Sequence, residues 1–264
     1  MKKTPIAFIL VCVIIILLFI IFNNHNEDLY LDTTYKEPFS SVKTLKSDII
    51  NIPVFVINLK QRKTRKKNMT RLLKNLGFKN VTFVVPVDKY SAIKFHKDRG
   101  VKITGGSASR SLTTLKIFDM VEKLKLKEFI IAEDDIDIFD NICTVDDVYN
   151  ASKGIDYDLL FFEMCYMNCF KASKIQQCLY KLHDPLCNGF ILHKTRVNNK
   201  IKNYFVKNLH EQPMDVYIGN MTRKGLIKSY GYPIFRQNPM AGSTIETSPR
   251  YTDKKVKFDT VCYL

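Results

Sequence analysis

Three consecutive carboxylates, Glu133, Asp134 and Asp135, follow the apolar run at 129–132. The run is short, apolar and β-branched, which is typical of a buried parallel strand. Because ligands of open α/β sheets bind beyond the carboxyl ends of strands, the three side chains are predicted to face a binding site. Clustered carboxylates repel one another unless a cation or hydrogen-bond donors stabilise them. A divalent cation that also bridges to substrate phosphates would do so, and the alternative is a solvated acidic turn.

The elements before this strand predict a parallel sheet covered by helices. They are strands at 53–59 and 80–87, a helix at 64–76 capped by Thr64 and closed by Gly77, a loop-rich excursion at 89–108, and a helix from 109 or 111 to 124. The helix at 64–76 has its apolar residues on one face, and Gly77 suits the position after a helix end. The order strand–helix–strand–helix–strand is typical of α/β folds.

The second half of the chain is predicted to add further strands and helices. They are a short helix at 145–152, a strand at 156–162 ending at Glu163, a strand at 189–192, a helix at 195–209, a short helix opened by Pro213 and a strand at 226–230. The stretch at 164–187 has no clear pattern, and the tail from Gly231 is rich in turn residues. The predicted class is α/β, with a mixed, mostly parallel sheet behind an amino-terminal transmembrane helix.

The amino terminus predicts a membrane anchor. Lys2 and Lys3 precede an apolar run of 17 residues at 6–22, and the flank at 23–32 carries three acids and no Lys or Arg. Positive charge before the span orients the amino terminus to the cytosol. We therefore predict a cytosolic tip and signal-anchor helix at 1–22, a stem at 23–50 and a catalytic domain at 51–264. The alternative is a cleaved signal peptide.

Two features agree with a lumenal domain of a type II protein in the Golgi or endoplasmic reticulum membrane. Six cysteines follow the anchor, five of them between 143 and 187, where we predict at least one disulfide. Four glycosylation sequons begin at Asn68, Asn80, Asn150 and Asn220. A lumenal domain does not meet nucleic acid, so the net charge of +15 is assigned to phosphates, anionic glycans or solubility.

Seven segments between 54 and 245 resemble glycosyltransferase family 25, which includes lipooligosaccharide and collagen hydroxylysine galactosyltransferases. In order they are VFVINLKQRKTRKKNM from 54, VVPVDKY from 84, SRSLTTLKIF from 109, FIIAEDDIDI from 129, GFILHKTRVNNKI from 189, PMDVYI from 213 and YPIFRQNPMAGSTI from 232. The fourth resembles the Glu-Asp-Asp strand, which is the family's version of the metal-binding Asp-x-Asp. The resemblance implies a GT-A fold, a UDP-sugar donor, a glycan or protein acceptor and usually Mn²⁺.

The chain departs from the family pattern at five positions. Thr113 and Thr114 stand where the family usually has Ser-His, Ser109 and Arg110 where it has Gly-Cys, and Thr244 where it has the Asp of Ser-Asp-Ile. The missing histidine is compatible with lost activity, a different acceptor or a lost structural contact. The alternatives to a transferase are a catalytically inactive lumenal binding or adhesion protein with the same fold, and a basic lectin-like module.

The candidate donor site lies at the strand ends. Asp135 and Glu133 are the predicted metal ligands, with Asp134 beside them for the donor diphosphate. Asn58 and Leu59 end the first strand, where a base and ribose commonly lie. The remaining donor-site candidates are Arg62 and Arg65 as phosphate partners, and Asp88 as either a ribose or base contact or a turn carboxylate.

The candidate proton acceptor is Asp215. It is predicted to lie in the positive first turn of a helix, which would lower its pKa and keep it ionised. Glu163 is the rival base, because it too ends a strand. Asp137 alternates back onto the strand after the acidic cluster, and its pattern favours a surface carboxylate.

Overall fold

The computed structural model describes residues 44–138, 142–163, 172–208 and 213–237. All of them belong to a compact unit at Val42–Leu264. Within these ranges, no helix has both the length and the apolar character that crossing a bilayer requires. The predicted anchor at 6–22 and most of the predicted stem lie outside the described residues, so both stay predictions.

A nine-stranded mixed sheet forms the centre of the unit. Its strands are β1 (Val54–Ile57), β2 (Val81–Val84), β3 (Glu128–Glu133), β4 (Ile136–Ile138), β5 (Leu159–Glu163), β6 (Ala172–Gln176), β7 (Leu179–Leu182), β8 (Phe190–Lys194) and β9 (Ser229–Gln237). They are ordered β2-β1-β3-β8-β5-β9-β7-β6, and β4 pairs with β9. The predicted α/β class is confirmed.

Most of these strands run in one direction. β1 is parallel to β2 and β3, and β5 is parallel to β9. β7 and β8 run in the opposite direction. β8 is antiparallel to β3 and β5, and β7 is antiparallel to β6 and β9. Following these pairings, β1, β2, β3, β5, β6 and β9 point the same way, so the carboxyl ends of β1, β3 and β5 meet at one edge. The sheet thus has an edge at which several parallel strands end, which is where ligands of α/β folds bind.

Helices cover the sheet. They are α1 (Lys63–Leu76), α2 (Lys89–Lys97), α3 (Gly105–Lys123), α4 (Val145–Ser152), α5 (Asn198–Lys207) and α6 (Met214–Arg223), with short 3₁₀ turns at Asp48–Asn51 and Thr195–Val197. The core on one face joins Phe55, Phe129 and Phe161 of the sheet to Phe118 of α3 and Tyr217 of α6. All four residues of β1 are buried, as expected for a strand covered on both faces.

Phenylalanine rings fill the other face of the sheet. Phe190 of β8 contacts Phe162 of β5, Phe235 of β9 and Phe78, with ring centroids 4.7–5.9 Å apart. Phe78 lies two residues after the last residue of α1, so it brings the end of that helix onto this face. Alternation along the strands therefore sends large apolar side chains to both faces.

The helix at 64–76 is confirmed within one residue, and Gly77 ends it with a φ of +92°. Thr64 is not its cap, because the helix begins at Lys63 with no side-chain cap. The predicted loop at 89–108 is wrong, since it contains α2 and the first turn of α3. The side chain of Asp88 caps α2 by accepting from the Ser91 N–H (2.9 Å), which supplies a start signal without a strong apolar stripe.

The predicted turn-rich tail from Gly231 is also wrong as far as Gln237, because β9 extends from Ser229 to Gln237. Gly231 is required in this strand, since a Cβ there would lie 2.3 Å from the carbonyl oxygen of Phe161. Gly231 therefore marks a close approach of β9 to β5 and does not form a turn. The unassigned stretch contains the hairpin of β6 and β7.

Disulfide bonding within 143–187 is confirmed. Cys143 and Cys178 are bonded, with their Cα atoms 5.8 Å apart. The bond ties the segment before α4 to the turn of the β6–β7 hairpin. Cys187 is also disulfide-bonded. Cysteine pairs of this kind are typical of oxidising compartments.

Candidate functional site

Four strand ends meet at the binding edge of the sheet. Ile57 of β1 lies opposite Glu133 of β3 in parallel register, and Asn58 follows Ile57 directly. The Glu133 N–H donates to the Gly189 carbonyl (2.8 Å), and the Gly189 N–H donates to Oε2 of Glu163 (2.8 Å). The ends of β1, β3 and β5 and the start of β8 thus form one continuous floor, as the α/β pattern predicts.

Asp134 is held by partners from β1 and α1. Nδ2 of Asn58 donates to Asp134 Oδ2 (2.5 Å), and Arg65 Nη1 pairs with Asp134 Oδ1 (2.9 Å). The same Arg65 nitrogen lies 3.4 Å from Oδ2 of Asp135. Three predicted donor-site residues, Asn58, Arg65 and Asp134, are therefore brought together. In this arrangement both oxygens of Asp134 are engaged by protein.

Asp135 has a different environment. Its Oδ1 is buried and makes no hydrogen bond with any described residue. Burial, and the nearby charges of Glu133 and Asp134, outweigh Arg65 and raise the pKa of Asp135 to about 7. A carboxylate oxygen that is shielded from water and lacks a donor favours a cation beside it.

Glu133 is paired with an arginine that the sequence did not single out as a site residue. Arg110 Nε on α3 donates to Glu133 Oε1 (2.7 Å), while Glu133 Oε2 has, among the described residues, only a long contact with Gln237 Nε2 (3.5 Å). Arg110 Nη1 donates to Thr114 Oγ1 (2.5 Å), and Nη2 donates to the Asn188 carbonyl (3.1 Å). The two predicted metal ligands, Glu133 and Asp135, therefore each lie beside an arginine in one charged cluster.

Glu163 lies beneath the site and is fully buried. Its Oε2 accepts from the Gly189 N–H, and its Oε1 has no partner among the described residues. Burial and the charge of Glu133 raise the pKa of Glu163 to about 8, although the Gly189 hydrogen bond opposes the shift. A Cβ at Gly189 would lie 2.7 Å from Oε2, so only glycine admits this contact. A buried, neutral Glu163 is poorly placed to reach an acceptor hydroxyl.

Asp215 lies in the first turn of α6, as predicted, with Pro213 before it. Its Oδ2 accepts from the Cys187 N–H (3.3 Å) and its Oδ1 from the Val216 N–H (2.9 Å). The predicted lowering of its pKa is wrong. Burial raises the pKa of Asp215 and outweighs the two N–H groups. A raised pKa brings the group closer to the working range of a general base.

Asn188 also contacts Asp215. With its amide oriented to satisfy both polar atoms, its side-chain oxygen accepts from the Asp215 N–H (3.1 Å) and its nitrogen donates to the Cys187 carbonyl (3.1 Å). The dipeptide of Cys187 and Asn188 thus holds the backbone and the carboxylate of Asp215. Cys187 adopts a φ of +68°, which is uncommon for a residue other than glycine.

The other predicted donor-site residues lie at the rim. Leu59 and Arg62 are half-buried in the turn between β1 and α1. The Arg62 carbonyl accepts from Asn58 Nδ2 (3.3 Å). Asp88 is exposed and its carboxylate caps α2, which corresponds to the turn-carboxylate alternative. The hydrogen bond from the Ser91 N–H lowers the pKa of Asp88.

Asp137 was expected at the surface, and this is wrong. It is only 7 % exposed, and the pairing of β4 with β9 sets it opposite Arg236. Burial raises its pKa, while the Ile138 N–H and the Arg236 charge act in the opposite direction. Alternation within a three-residue strand could not reveal this burial. The strand that pairs with β4 is β9, which begins 92 residues after Asp137.

The sequence departures at 109–114 take part in internal contacts. Ser109 Oγ donates to the Val87 carbonyl (2.5 Å), and Thr113 Oγ1 accepts from the Val87 N–H (2.9 Å). This pair anchors α3 to the segment after β2. Arg110 and Thr114, each one residue further along the helix, bond each other, and Arg110 also bonds Glu133. In the sequence, Arg110 stood out only because Ser109 and Arg110 replace the Gly-Cys of the family pattern.

The resemblance to glycosyltransferase family 25 implies a divalent cation, and the acidic side chains of the site show whether one would fit there. Among the described ranges, no group of three or more His, Cys, Asp or Glu side chains is arranged to hold a metal. However, Mg²⁺-like cations commonly use one or two carboxylates and complete their shell with water and substrate phosphate. The unpartnered Oδ1 of Asp135 and the weakly engaged Oε2 of Glu133 fit such a shared site. They do not fit an all-protein cage.

No protein-family model matches this chain, and no curated protein matches it by sequence. The resemblance to glycosyltransferase family 25 therefore stays a prediction.

Three solved structures are similar to parts of this chain at low sequence identity, with TM-scores below 0.5. The inositol-1-phosphate CTP transferase from T. maritima has a TM-score of 0.43 and 11% identity, covering 74% of this chain and 93% of that one. UDP-glucose pyrophosphorylase in complex with UDP-glucose has a TM-score of 0.39 and 6% identity, covering 69% and 72%. A197 from STIV has a TM-score of 0.39 and 10% identity, covering 70% and 83%. Likeness at this level carries no argument about function.

Proposed function

We propose that this chain is a metal-dependent glycosyltransferase that moves a hexose, such as galactose, from a UDP-sugar to a hydroxyl of a glycan or protein. The observation that carries the proposal is the unpartnered, buried Oδ1 of Asp135 in a cluster of three carboxylates. The cluster lies at the carboxyl ends of parallel strands, where α/β folds bind nucleotides.

The donor would be held between β1, α1 and the acidic cluster. Asp135 and Glu133 would bind Mn²⁺ or a similar cation, which neutralises charge on the leaving diphosphate. Arg62, whose guanidinium has no ion pair among the described residues, is available for a phosphate oxygen. Asn58 and Arg65 each bond one oxygen of Asp134, so this carboxylate is already occupied by protein donors.

Asp215 would act as the general base. The acceptor hydroxyl oxygen forms a bond to the anomeric carbon, the bond from that carbon to the diphosphate oxygen breaks, and UDP leaves with the bonding pair. The hydroxyl proton passes to Asp215. Its raised pKa supports this role, because a base closer to neutrality accepts a proton more readily.

One observation favours the alternative of an inactive lumenal binding protein. Thr114, at the position of the family histidine, is engaged with Arg110 on both sides, since its hydroxyl accepts from the guanidinium and donates to the Arg110 carbonyl. Thr113 likewise donates to the Ser109 carbonyl (2.5 Å). Neither hydroxyl is spare for substrate. This alternative keeps the fold and gives up transfer.

The full-length protein should be tested first for ligand binding and then for turnover. We expect UDP to bind in calorimetry with Mn²⁺ and much more weakly with EDTA. We also expect slow Mn²⁺-dependent hydrolysis of one sugar in a panel of UDP-sugars. Binding of neither UDP nor Mn²⁺ would reject the transferase and leave the inactive relative. Binding without hydrolysis or transfer of any sugar would support the inactive relative as well.

A further inference from the structure

Arg110 occupies a position between the cation side and the base side of the site. Its guanidinium reaches Glu133 on β3 and the carbonyl of Asn188 just before β8, which are 23 and 78 residues away along the chain. The Arg110 side chain is only 14% exposed. We propose that Arg110 is a positioning residue. It holds Glu133 in a fixed arrangement with the turn of Cys187 and Asn188, which contacts Asp215. This inference rests on the proposed transferase function.

Protein groups use three of the five N–H donors of Arg110, one on each nitrogen. Nε donates to Glu133 Oε1 (2.7 Å), Nη1 to Thr114 Oγ1 (2.5 Å) and Nη2 to the Asn188 carbonyl (3.1 Å). Each nitrogen therefore has a different partner on a different element. Because most of its N–H groups are occupied, Arg110 is better suited to hold other residues than to bind a phosphate itself.

The connection to the base passes through two residues. Asn188 receives Arg110 on its backbone carbonyl and contacts the Asp215 N–H through its side chain. Cys187, the preceding residue, donates its N–H to Asp215 Oδ2 (3.3 Å). Fixing the Asn188 carbonyl therefore fixes the turn that presents donors and acceptors to Asp215. The hydrogen bond from Arg110 to the Asn188 carbonyl also opposes rotation of the peptide between Asn188 and Gly189. The residue before it, Cys187, has a φ of +68°.

A guanidinium is required for this role. Its planar geometry lets three nitrogens point to three fixed partners at once, whereas a lysine ammonium is a single point of charge on a longer, more flexible stem. Arg110→Lys keeps the positive charge near Glu133 and loses at least one of the other two contacts. Lysine should therefore rescue less of the function than a purely electrostatic role would predict.

Three variants test the role. Arg110→Met removes all three donors and keeps an unbranched stem, and Arg110→Lys keeps the charge. Thr114→Val removes the hydroxyl that steadies Nη1 and leaves Arg110 in place. The matched control is Arg196→Met, since Arg196 also bonds three groups, namely Asp156, Asp158 and the Tyr157 carbonyl, at the opposite edge of the sheet.

The first readout is hydrogen exchange in the free full-length protein, which needs no substrate. We expect exchange at the Asp215 and Cys187 amides to speed up by about tenfold or more in Arg110→Met, less in Thr114→Val, and not at all in Arg196→Met. Melting curves show whether each variant is folded. Unchanged exchange at these two amides in folded Arg110→Met would overturn the proposal.

The second readout is turnover and Mn²⁺-dependent UDP affinity. Because Arg110 orients groups that bind the cation and the proton, both quantities should fall by about 10–100-fold in Arg110→Met, while the acceptor KM changes little. In a double-mutant cycle, Arg110→Met should cost less when Asp215→Asn is already present, because both act on the same group. Strict additivity, or wild-type turnover in Arg110→Lys, would overturn the proposal.

The two readouts separate the inference from the proposed function. A wild-type protein that binds neither UDP nor Mn²⁺ would reject the transferase, yet faster amide exchange in Arg110→Met would still establish the physical link. Normal exchange with full transfer in Arg110→Met would keep the transferase and reject the role of Arg110.

Discussion

Three carboxylates of the site, Asp134, Asp135 and Glu163, differ in their electrostatic environments. Asp134 has a donor on each oxygen, so its charge is compensated. Asp135 has one oxygen near Arg65 and one with no donor, and its pKa is raised to about 7. Glu163 is buried under Gly189, and its pKa is raised to about 8. Each state follows from the donors within reach, and each predicts a different response to substitution.

Asp135→Asn removes one ligand charge and keeps the size of the side chain. We expect Mn²⁺-dependent UDP binding to weaken sharply and transfer to fall by about 10²–10³-fold, as when a charge-stabilising group is lost. Because the change also relieves repulsion with Glu133, the cation-free protein should be at least as stable as the wild type at pH 8. Calorimetry and denaturant unfolding measure the two effects. Unchanged metal-dependent UDP binding would refute the assignment of Asp135.

Asp215→Asn removes the proposed proton acceptor and leaves the acidic cluster intact. UDP and Mn²⁺ affinity should therefore persist while turnover drops by about 10²–10⁴-fold. The matched comparison is Asp135→Asn, in which binding itself is lost. A transfer assay alongside calorimetry separates the two patterns. Full turnover in Asp215→Asn would move the base to another residue.

Glu163→Gln should change how stability depends on pH. The folded-state pKa of Glu163 is raised from 4.5 to about 8, so the neutral form is favoured in the folded protein. Between these values the unfolded chain ionises first, and stability is lost as the pH rises. At about 1.4 kcal/mol for each pKa unit, the free energy of unfolding should fall by several kcal/mol more in the wild type than in Glu163→Gln. Denaturant unfolding with EDTA at pH 5 and pH 8 gives this difference, and equal pH slopes would contradict it.

At the scale of elements, α3 connects two parts of the structure through residues one turn apart. Ser109 and Thr113 contact the backbone of Val87 after β2. Arg110, which is bonded by Thr114, pairs with Glu133 at the end of β3. Residues four apart lie on the same side of a helix, so each pair acts together. The site is thereby built against a helix whose own position is fixed by β2.

The disulfide between Cys143 and Cys178 belongs to this scale too. It joins the start of α4 to the β6–β7 hairpin and closes a loop with a sequence separation of 35. Replacing both cysteines with alanine should lower the free energy of unfolding by about 2–4 kcal/mol, mainly because the unfolded chain gains freedom. Denaturant unfolding measures the loss. Equal stability of the double-alanine variant and the wild type would show that the bond adds nothing.

At the scale of the whole molecule, the predicted topology can be tested directly. Lys2, Lys3 and the apolar run at 6–22 predict an uncleaved anchor with a lumenal carboxyl end. In microsomes the domain should resist added protease, and the sequon at the exposed Asn150 should carry a glycan that Asn150→Gln removes. Digestion of the domain in intact vesicles would contradict this topology.

Much of the fold followed from local patterns. The buried runs at β1 and β3 and the apolar face of α1 were predicted because each element shows its period within a short window. The segment at 89–97 was missed since its helix depends on the cap from Asp88 and on burial of Ala92 and His96. β9 was missed beyond Tyr230 because close pairing with β5 overrides the local preference of Gly231 for a turn.

The sequence by itself determined that carboxylates end β3 and β5, that Asn58 follows β1, and that Asp215 lies in the first turn of a helix, because each is a statement about position along one element. Only the tertiary structure decided which of them share a partner. Arg110 meets Glu133 and Asn188, and Asp137 becomes buried against β9, through pairings of residues far apart in the chain. Periodicity specifies which face of an element is buried, and it carries no information about which distant element will cover that face.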